Sequence, residues 1–120
     1  MQRHLNQRFV KAQRLLKRSE YQRLRTQGRK VHTGPFIAVN QESTADRTRL
    51  GITVSRKVGK AVSRNRIKRV TREYFRKNRR RIPGQRDIHI IAKQGAAERT
   101  NQELFASLET IFRKMGASND

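Results

Sequence analysis

Apolar residues recur at a helical period in two long segments of the chain. Residues 55–81 contain four of them at i, i+3, i+7 and i+8: Ile67, Val70, Tyr74 and Phe75. Residues 100–116 contain six at the same period: Leu104, Phe105, Leu108, Ile111, Phe112 and Met115. Each pattern places one apolar stripe along a helix and so predicts a helix that packs on a core.

Capping residues suggest where these helices begin. Ser63 is the predicted N-cap of the first helix, and Thr100 opens a capping box that starts the second. A further capping box at residues 19–22, with Ser19 as N-cap, predicts a short helix over residues 19–27 that Gly28 ends.

Three segments carry the pattern of strands. The strand predicted within residues 31–40 is entered through Gly34-Pro35, and its side chains then alternate between two faces: Phe36 and Ala38 on one, Ile37 and Val39 on the other. The strands predicted at residues 49–55 and 87–92 are short and apolar. We expect the first two strands to form an antiparallel hairpin and the third to lie parallel to the second, across the intervening helix. The predicted fold is a single α+β domain over residues 19–116, with a flexible basic arm at 1–18 and a tail at 117–120.

Charge changes the interpretation of the first long helix. The 120 residues include 30 Lys or Arg and 9 Asp or Glu, a formal net charge of +21. Residues 55–81 hold many of the cations but only one acid, Glu73. Four polar residues share the helix face opposite the apolar stripe: Asn65, Arg69, Arg72 and Arg76. A folded helix that presents cations in this way favours a polyanion, and nucleic acid is a better candidate than a membrane surface.

Residues for independent catalysis are scarce. The chain has no cysteine, and its acids form no spaced cluster that would hold a metal. His89, inside an apolar strand, is interpreted as a structural histidine. No apolar run is long enough to cross a membrane, and we expect a cytoplasmic protein without catalytic residues of its own.

The central segment resembles the signature of the bacterial ribonuclease P protein subunit. Residues 49–76 read RLGITVSRKVGKAVSRNRIKRVTREYFR, with the R-N-R triplet after V-S-(K/R)-K-x-G-x-A-V. The order of the other elements, from about residue 14 to residue 115, agrees with that family.

The resemblance implies a protein cofactor for a catalytic RNA that removes 5′ leaders from precursor tRNA. It implies a two-layer α–β sandwich with three helices, a small mostly antiparallel sheet and one parallel crossover, which is left-handed against the usual rule. It further implies one monomeric protein per ribonuclease P RNA, with Mg²⁺ held mainly by the RNA. The implied contacts to the catalytic RNA are Lys60, Arg64, Asn65, Arg66 and Arg69.

The resemblance also implies a groove for the single-stranded leader, between the first helix and the sheet. The matching positions are Tyr21, Val39, Lys57, Lys68 and Arg72. The family commonly has aromatic rings where this chain has Arg25 and Val39. Two rival functions explain less of the sequence. A ribosomal or general RNA-binding protein would explain the charge but not the signature, and a self-sufficient metal-dependent nuclease conflicts with the shortage of acids.

Overall fold

The computed structural model describes residues 13–116, which form three α-helices and one four-stranded sheet. The helices are α1 (Arg18–Gln27), α2 (Ala61–Asn78) and α3 (Asn101–Lys114). The strands are β1 (Arg29–Thr33), β2 (Phe36–Glu42), β3 (Arg49–Thr53) and β4 (Arg86–Ala92). Short 3₁₀ helices follow α2 at Arg79–Arg81 and precede α3 at Ala96–Glu98. The predicted α+β class with three helices is confirmed.

The strand order β1-β2-β4-β3 corrects the predicted hairpin. Gly34-Pro35 is a tight turn inside the segment expected to be one strand, with Gly34 at φ 49°, so residues 29–42 fold into two antiparallel strands. β4 then lies between β2 and β3, antiparallel to the first and parallel to the second. The parallel pairing of β3 and β4 was predicted correctly, and the handedness of the crossover through α2 stays a prediction.

One face of the sheet packs against α2 and α3 to form the main core. Phe36 and Ala38 of β2 point to this face, as predicted, and meet side chains such as Phe75 and Phe112. The apolar stripe of α2 is buried as its period indicated, since Ile67, Val70, Tyr74 and Phe75 are all buried. Burial of these apolar side chains contributes favourable free energy to folding.

Helix starts were predicted with mixed success. Thr100 caps α3 as expected, because its hydroxyl accepts from the Glu103 backbone N–H and the Glu103 carboxylate accepts from that of Thr100. Ser63 is not the N-cap of α2, which begins two residues earlier at Ala61. Ser19 does not cap α1 either, since the helix begins at Arg18 and Glu20 accepts from the Leu16 and Lys17 backbone N–H groups.

α1 lies across the other face of the sheet. Leu24 of α1 packs there with Val39 of β2 and with Leu15, which is only 4% exposed. The Leu15 backbone N–H also donates to the Leu50 carbonyl at 3.0 Å. The predicted arm therefore does not extend to residue 18; residues 1–12 and 117–120, which include most of the arm and the tail, lie outside the described residues.

A buried ionic network holds α1 in place. Asp87 of β4 has no exposed surface, and Arg49 of β3 binds both its oxygens, at 2.9 and 2.7 Å. Arg23 of α1 reaches the same carboxylate at 2.5 Å, and Glu20 of α1 pairs with Arg49 at 2.7 Å. Burial alone would raise the pKa of Asp87, but the hydrogen bonds from Arg49, Ser43 and Arg23 lower it below its usual range.

We expect Asp87→Asn to lower the free energy of unfolding by about 3–5 kcal/mol, because it leaves buried guanidinium groups without their counter-charge. A carboxylate with a lowered pKa stabilises the fold above its unfolded-state pKa of about 3.9 and ceases to do so as pH falls through the folded-state value. The difference between wild type and variant in urea unfolding should therefore shrink in acid.

Asp46→Asn is the matched control, because Asp46 pairs with Arg47 at the surface and is 89% exposed. Its loss should change stability little at any pH. An Asp87 variant as stable as the Asp46 variant would contradict the structural importance of the network.

Candidate nucleic-acid interface

The exposed face of α2 carries the cations that the sequence pattern predicted. Asn65, Arg69 and Arg72 are exposed, opposite the buried stripe. Lys60 is the N-cap of the helix and makes no side-chain hydrogen bond to its first turn. The first backbone N–H groups of a helix have no intrahelical acceptor, so those of α2 are available to an anion. Guanidinium groups beside a helix start form an environment that favours phosphate.

Arg66 of the R-N-R triplet makes three hydrogen bonds to residues before and at the start of α3. Its guanidinium donates to the carbonyls of Ala97 and Arg99, at 3.1 and 3.0 Å, and to the side-chain oxygen of Asn101 at 2.7 Å. These contacts join α2 to the segment that starts α3. Arg64 bends back to the Gly59 carbonyl at 3.1 Å, which steadies the loop before α2. Arg66 therefore positions the cationic face, a contribution that its place in a basic triplet did not reveal.

An apolar groove of about 260 Å³ opens between α1 and the sheet. Ile37, Val39 and Ile91 line its sheet side, and Tyr21 and His89 lie beside them. Cationic and polar residues complete the lining: Arg25, Lys30 and His32. The groove exists because α1 packs over the end of the sheet that holds Asp87 and leaves the row of Ile37 and Ile91 only partly covered.

Tyr21 is held firmly at the edge of this groove. Its ring lies on the backbone of Gly51, where a Cβ atom would come within 3.0 Å of the ring. The hydroxyl donates to the Leu15 carbonyl at 3.0 Å, and burial raises the pKa of Tyr21, so the donor stays protonated. On the other side of Tyr21, a polar cavity of about 150 Å³ is lined in part by Arg14 and Arg72.

The residues predicted for leader binding are therefore only partly brought together. Tyr21 and Val39 line the apolar groove, although Val39 is only 3% exposed, and Arg72 lines the adjoining polar cavity. Lys57 lies on the exposed loop after β3 and Lys68 is half-buried on α2, and neither lines these two cavities.

His89 was interpreted as structural, yet it lines the groove. The alternation along β4 explains this, because Ile88 and Ile90 point into the core and His89 points to the opposite face. Its ring meets Tyr21 edge-to-face, with centroids 4.7 Å apart. Arg14 was also missed, because residues before 19 were expected to form a mobile arm. Knowledge of which face α1 covers would have been needed to find either residue.

Several acids of the described residues hold parts of the fold together. Arg81 and the Tyr74 hydroxyl bind Glu109 between α2 and α3 and lower its pKa to about 2. Glu73 pairs with Arg76 on α2. Among residues 13–116, no three His, Cys, Asp or Glu side chains group in a way that could hold a metal ion. No helix in this part of the chain has the length and apolarity needed to cross a membrane.

A small α+β fold with a cationic helix face beside an apolar groove defines a single-domain RNA-binding protein. The family model described as Ribonuclease P matches residues 9–116. The ribonuclease P protein component of Desulforapulum autotrophicum is 49% identical over 111 residues, which cover 92% of this chain and 95% of that protein.

Solved structures agree. The RNase P protein of Staphylococcus aureus superposes with a TM-score of 0.83 at 36% identity and covers 91% of this chain and 100% of that chain. The protein from Thermotoga maritima has a TM-score of 0.76 at 30% identity and covers 84% and 96%. The chain belongs to the family of bacterial ribonuclease P protein components. As such it is the protein subunit of the ribonuclease P holoenzyme, it partners the ribonuclease P RNA, and its role lies in the 5′ processing of tRNA.

We expect Arg66→Ala to affect the stability of the fold and Arg69→Ala to affect the affinity for RNA. Loss of Arg66 leaves three acceptors without their donor and should lower the free energy of unfolding by about 1–3 kcal/mol. Loss of the exposed Arg69 should leave stability unchanged and reduce the slope of log affinity for the cognate RNA against log salt by about one unit. Thermal unfolding and filter binding at several salt concentrations measure both. An Arg66 variant with unchanged stability and a reduced slope would instead identify Arg66 as a phosphate ligand.

Proposed function

We propose that the groove between α1 and the sheet binds the single-stranded 5′ leader of precursor tRNA, while the exposed face of α2 binds the ribonuclease P RNA. The observation that carries the leader assignment is the fixed ring of Tyr21, which stands between an apolar groove and a cavity lined by guanidinium groups. A base can stack on such a ring while the phosphates beside it are neutralised. With these two surfaces, one small domain would contact both RNAs.

The cations divide between these two tasks. The surface for the catalytic RNA consists of Lys60, Arg64, Asn65 and Arg69. Arg66 stabilises this surface through its hydrogen bonds to the segment that starts α3. Arg72 serves the leader from the cavity beside Tyr21. Lys57, on the loop after β3, and Lys68, on α2, line neither cavity and add positive charge that attracts the leader phosphates. Because this attraction is electrostatic, it requires no particular sequence in the leader.

Magnesium is proposed to be held mainly by the RNA. Four carboxylates of the described residues support this, because Glu20, Glu73, Asp87 and Glu109 are each paired with arginine and a hard cation needs several oxygen ligands at once. The protein's part is to reduce repulsion between phosphates where the RNAs meet. It would do so as a single copy per RNA, in the cytoplasm.

Tyr21→Ala tests the leader groove. If a base stacks on the ring, the variant holoenzyme should bind precursor tRNA more weakly by about 1–3 kcal/mol, while its affinity for mature tRNA, which has no leader, hardly changes. Equilibrium binding of both tRNAs to reconstituted holoenzyme measures the difference.

Arg25→Ala is the companion variant, because Arg25 lines the same groove with charge and no ring. Its effect on precursor binding should fade at high salt, whereas the loss caused by Tyr21→Ala should persist. Equal losses for precursor and mature tRNA in the Tyr21 variant would mean that the ring serves only the fold.

The chain without RNA should not cut precursor tRNA. No described group offers a metal centre, and a general base would need a free carboxylate or histidine next to the scissile phosphate. Incubation of precursor tRNA and Mg²⁺ with the chain, with the cognate RNA and with both measures this. Accurate 5′ cleavage by RNA-free protein would overturn the cofactor role.

A further inference from the structure

His89 and Tyr21 form a corner in the wall of the groove. Their ring planes lie at 78° to each other, with centroids 4.7 Å apart. The corner depends on Gly51, the register partner of His89 on β3, because a side chain there would occupy the space of the Tyr21 ring. A flat group stacked on Tyr21 is therefore nearly perpendicular to the His89 ring.

The His89 imidazole is held by one of its two nitrogens. Nε2 lies 2.7 Å from the Thr53 hydroxyl, which can donate or accept. Burial lowers the pKa of His89 and the charge of Arg25 acts in the same direction, so the ring is neutral near pH 7 and has one donor and one acceptor nitrogen. Within the described residues, Nδ1 has no hydrogen-bond partner.

We propose that His89 determines base preference in the leader, by a hydrogen bond from its imidazole to the edge of the base that stacks on Tyr21. The inference rests on the proposed function of the groove. Proteins read single-stranded RNA by stacking bases on aromatic rings and bonding their edges, and the corner offers one surface for each. Stacking tolerates every base, so selectivity has to come from the edge contact.

The other groove residues are poorer candidates for this contact. Ile37, Val39 and Ile91 have no polar side-chain atoms, and the Tyr21 hydroxyl is already bonded to Leu15. Arg25 and Lys30 are exposed and long, and suit phosphate better than a fixed base edge. His32 lies on the edge strand β1 and is exposed, whereas His89 is half-buried on the central β4 and orientated by Thr53.

The test uses reconstituted holoenzyme and four precursor tRNAs that differ only in the leader, each leader being a run of one base. Wild type should bind them with affinities that spread over about 2- to 10-fold, the range of one hydrogen bond. His89→Phe keeps a ring of similar shape without nitrogens, and His89→Ala removes the ring. Both variants should collapse the spread, and mature tRNA should bind all three proteins alike.

Tyr21→Ala separates this inference from the proposed function. It should weaken binding of all four precursors by a similar factor if the groove takes the leader at all. If Tyr21→Ala has that effect but the spread survives in both His89 variants, or wild type has no spread, the assignment of His89 is overturned and the groove assignment stands. If Tyr21→Ala leaves all four precursors unaffected, the groove itself is wrongly assigned. Circular dichroism verifies that each variant is folded.

Discussion

Asp87 lies in the sheet without any exposed surface, and its charge is balanced by guanidinium groups from two different parts of the fold. An unbalanced buried carboxylate would cost several kcal/mol, so Arg49 of β3 and Arg23 of α1 have to stay beside it. Because Arg23 belongs to α1, this requirement ties the helix to one end of the sheet. The other end stays open, and the groove is the space that α1 leaves uncovered.

The small number of acids, and their use in ion pairs within the fold, explains why the surface is so basic. Glu20, Glu73, Asp87 and Glu109 each pair with arginine, and the pairs of Glu20, Asp87 and Glu109 join different elements of the fold. With 30 basic residues against 9 acidic ones, most cations are left to face solvent. Their mutual repulsion is relieved when phosphates approach, so the RNA partner completes the electrostatic balance of the protein.

The close approach of the Tyr21 ring to the Gly51 backbone is a second constraint on the structure. The Tyr21 ring needs the bare backbone of Gly51 beneath it, and His89 can meet that ring because the two residues share a row of the sheet. Glycine at position 51 is thus required for the position of the Tyr21 ring. Glycine inside a strand usually weakens a sheet, but Gly51 leaves the space that the Tyr21 side chain occupies.

The sequence alone determined the features that depend on neighbours along the chain. The apolar stripes of α2 and α3, the Thr100 cap and the family signature could be predicted, because each repeats over a few residues or is carried by a motif. The parallel partner of β3 could be predicted from the order of strand, helix and strand along the chain. Only the tertiary structure decided that β4 separates β2 from β3, that Arg66 binds carbonyls near α3, and that His89 faces the groove. These outcomes depend on contacts between residues far apart in the chain, and the alternation of a strand does not say which of its two faces a helix will cover.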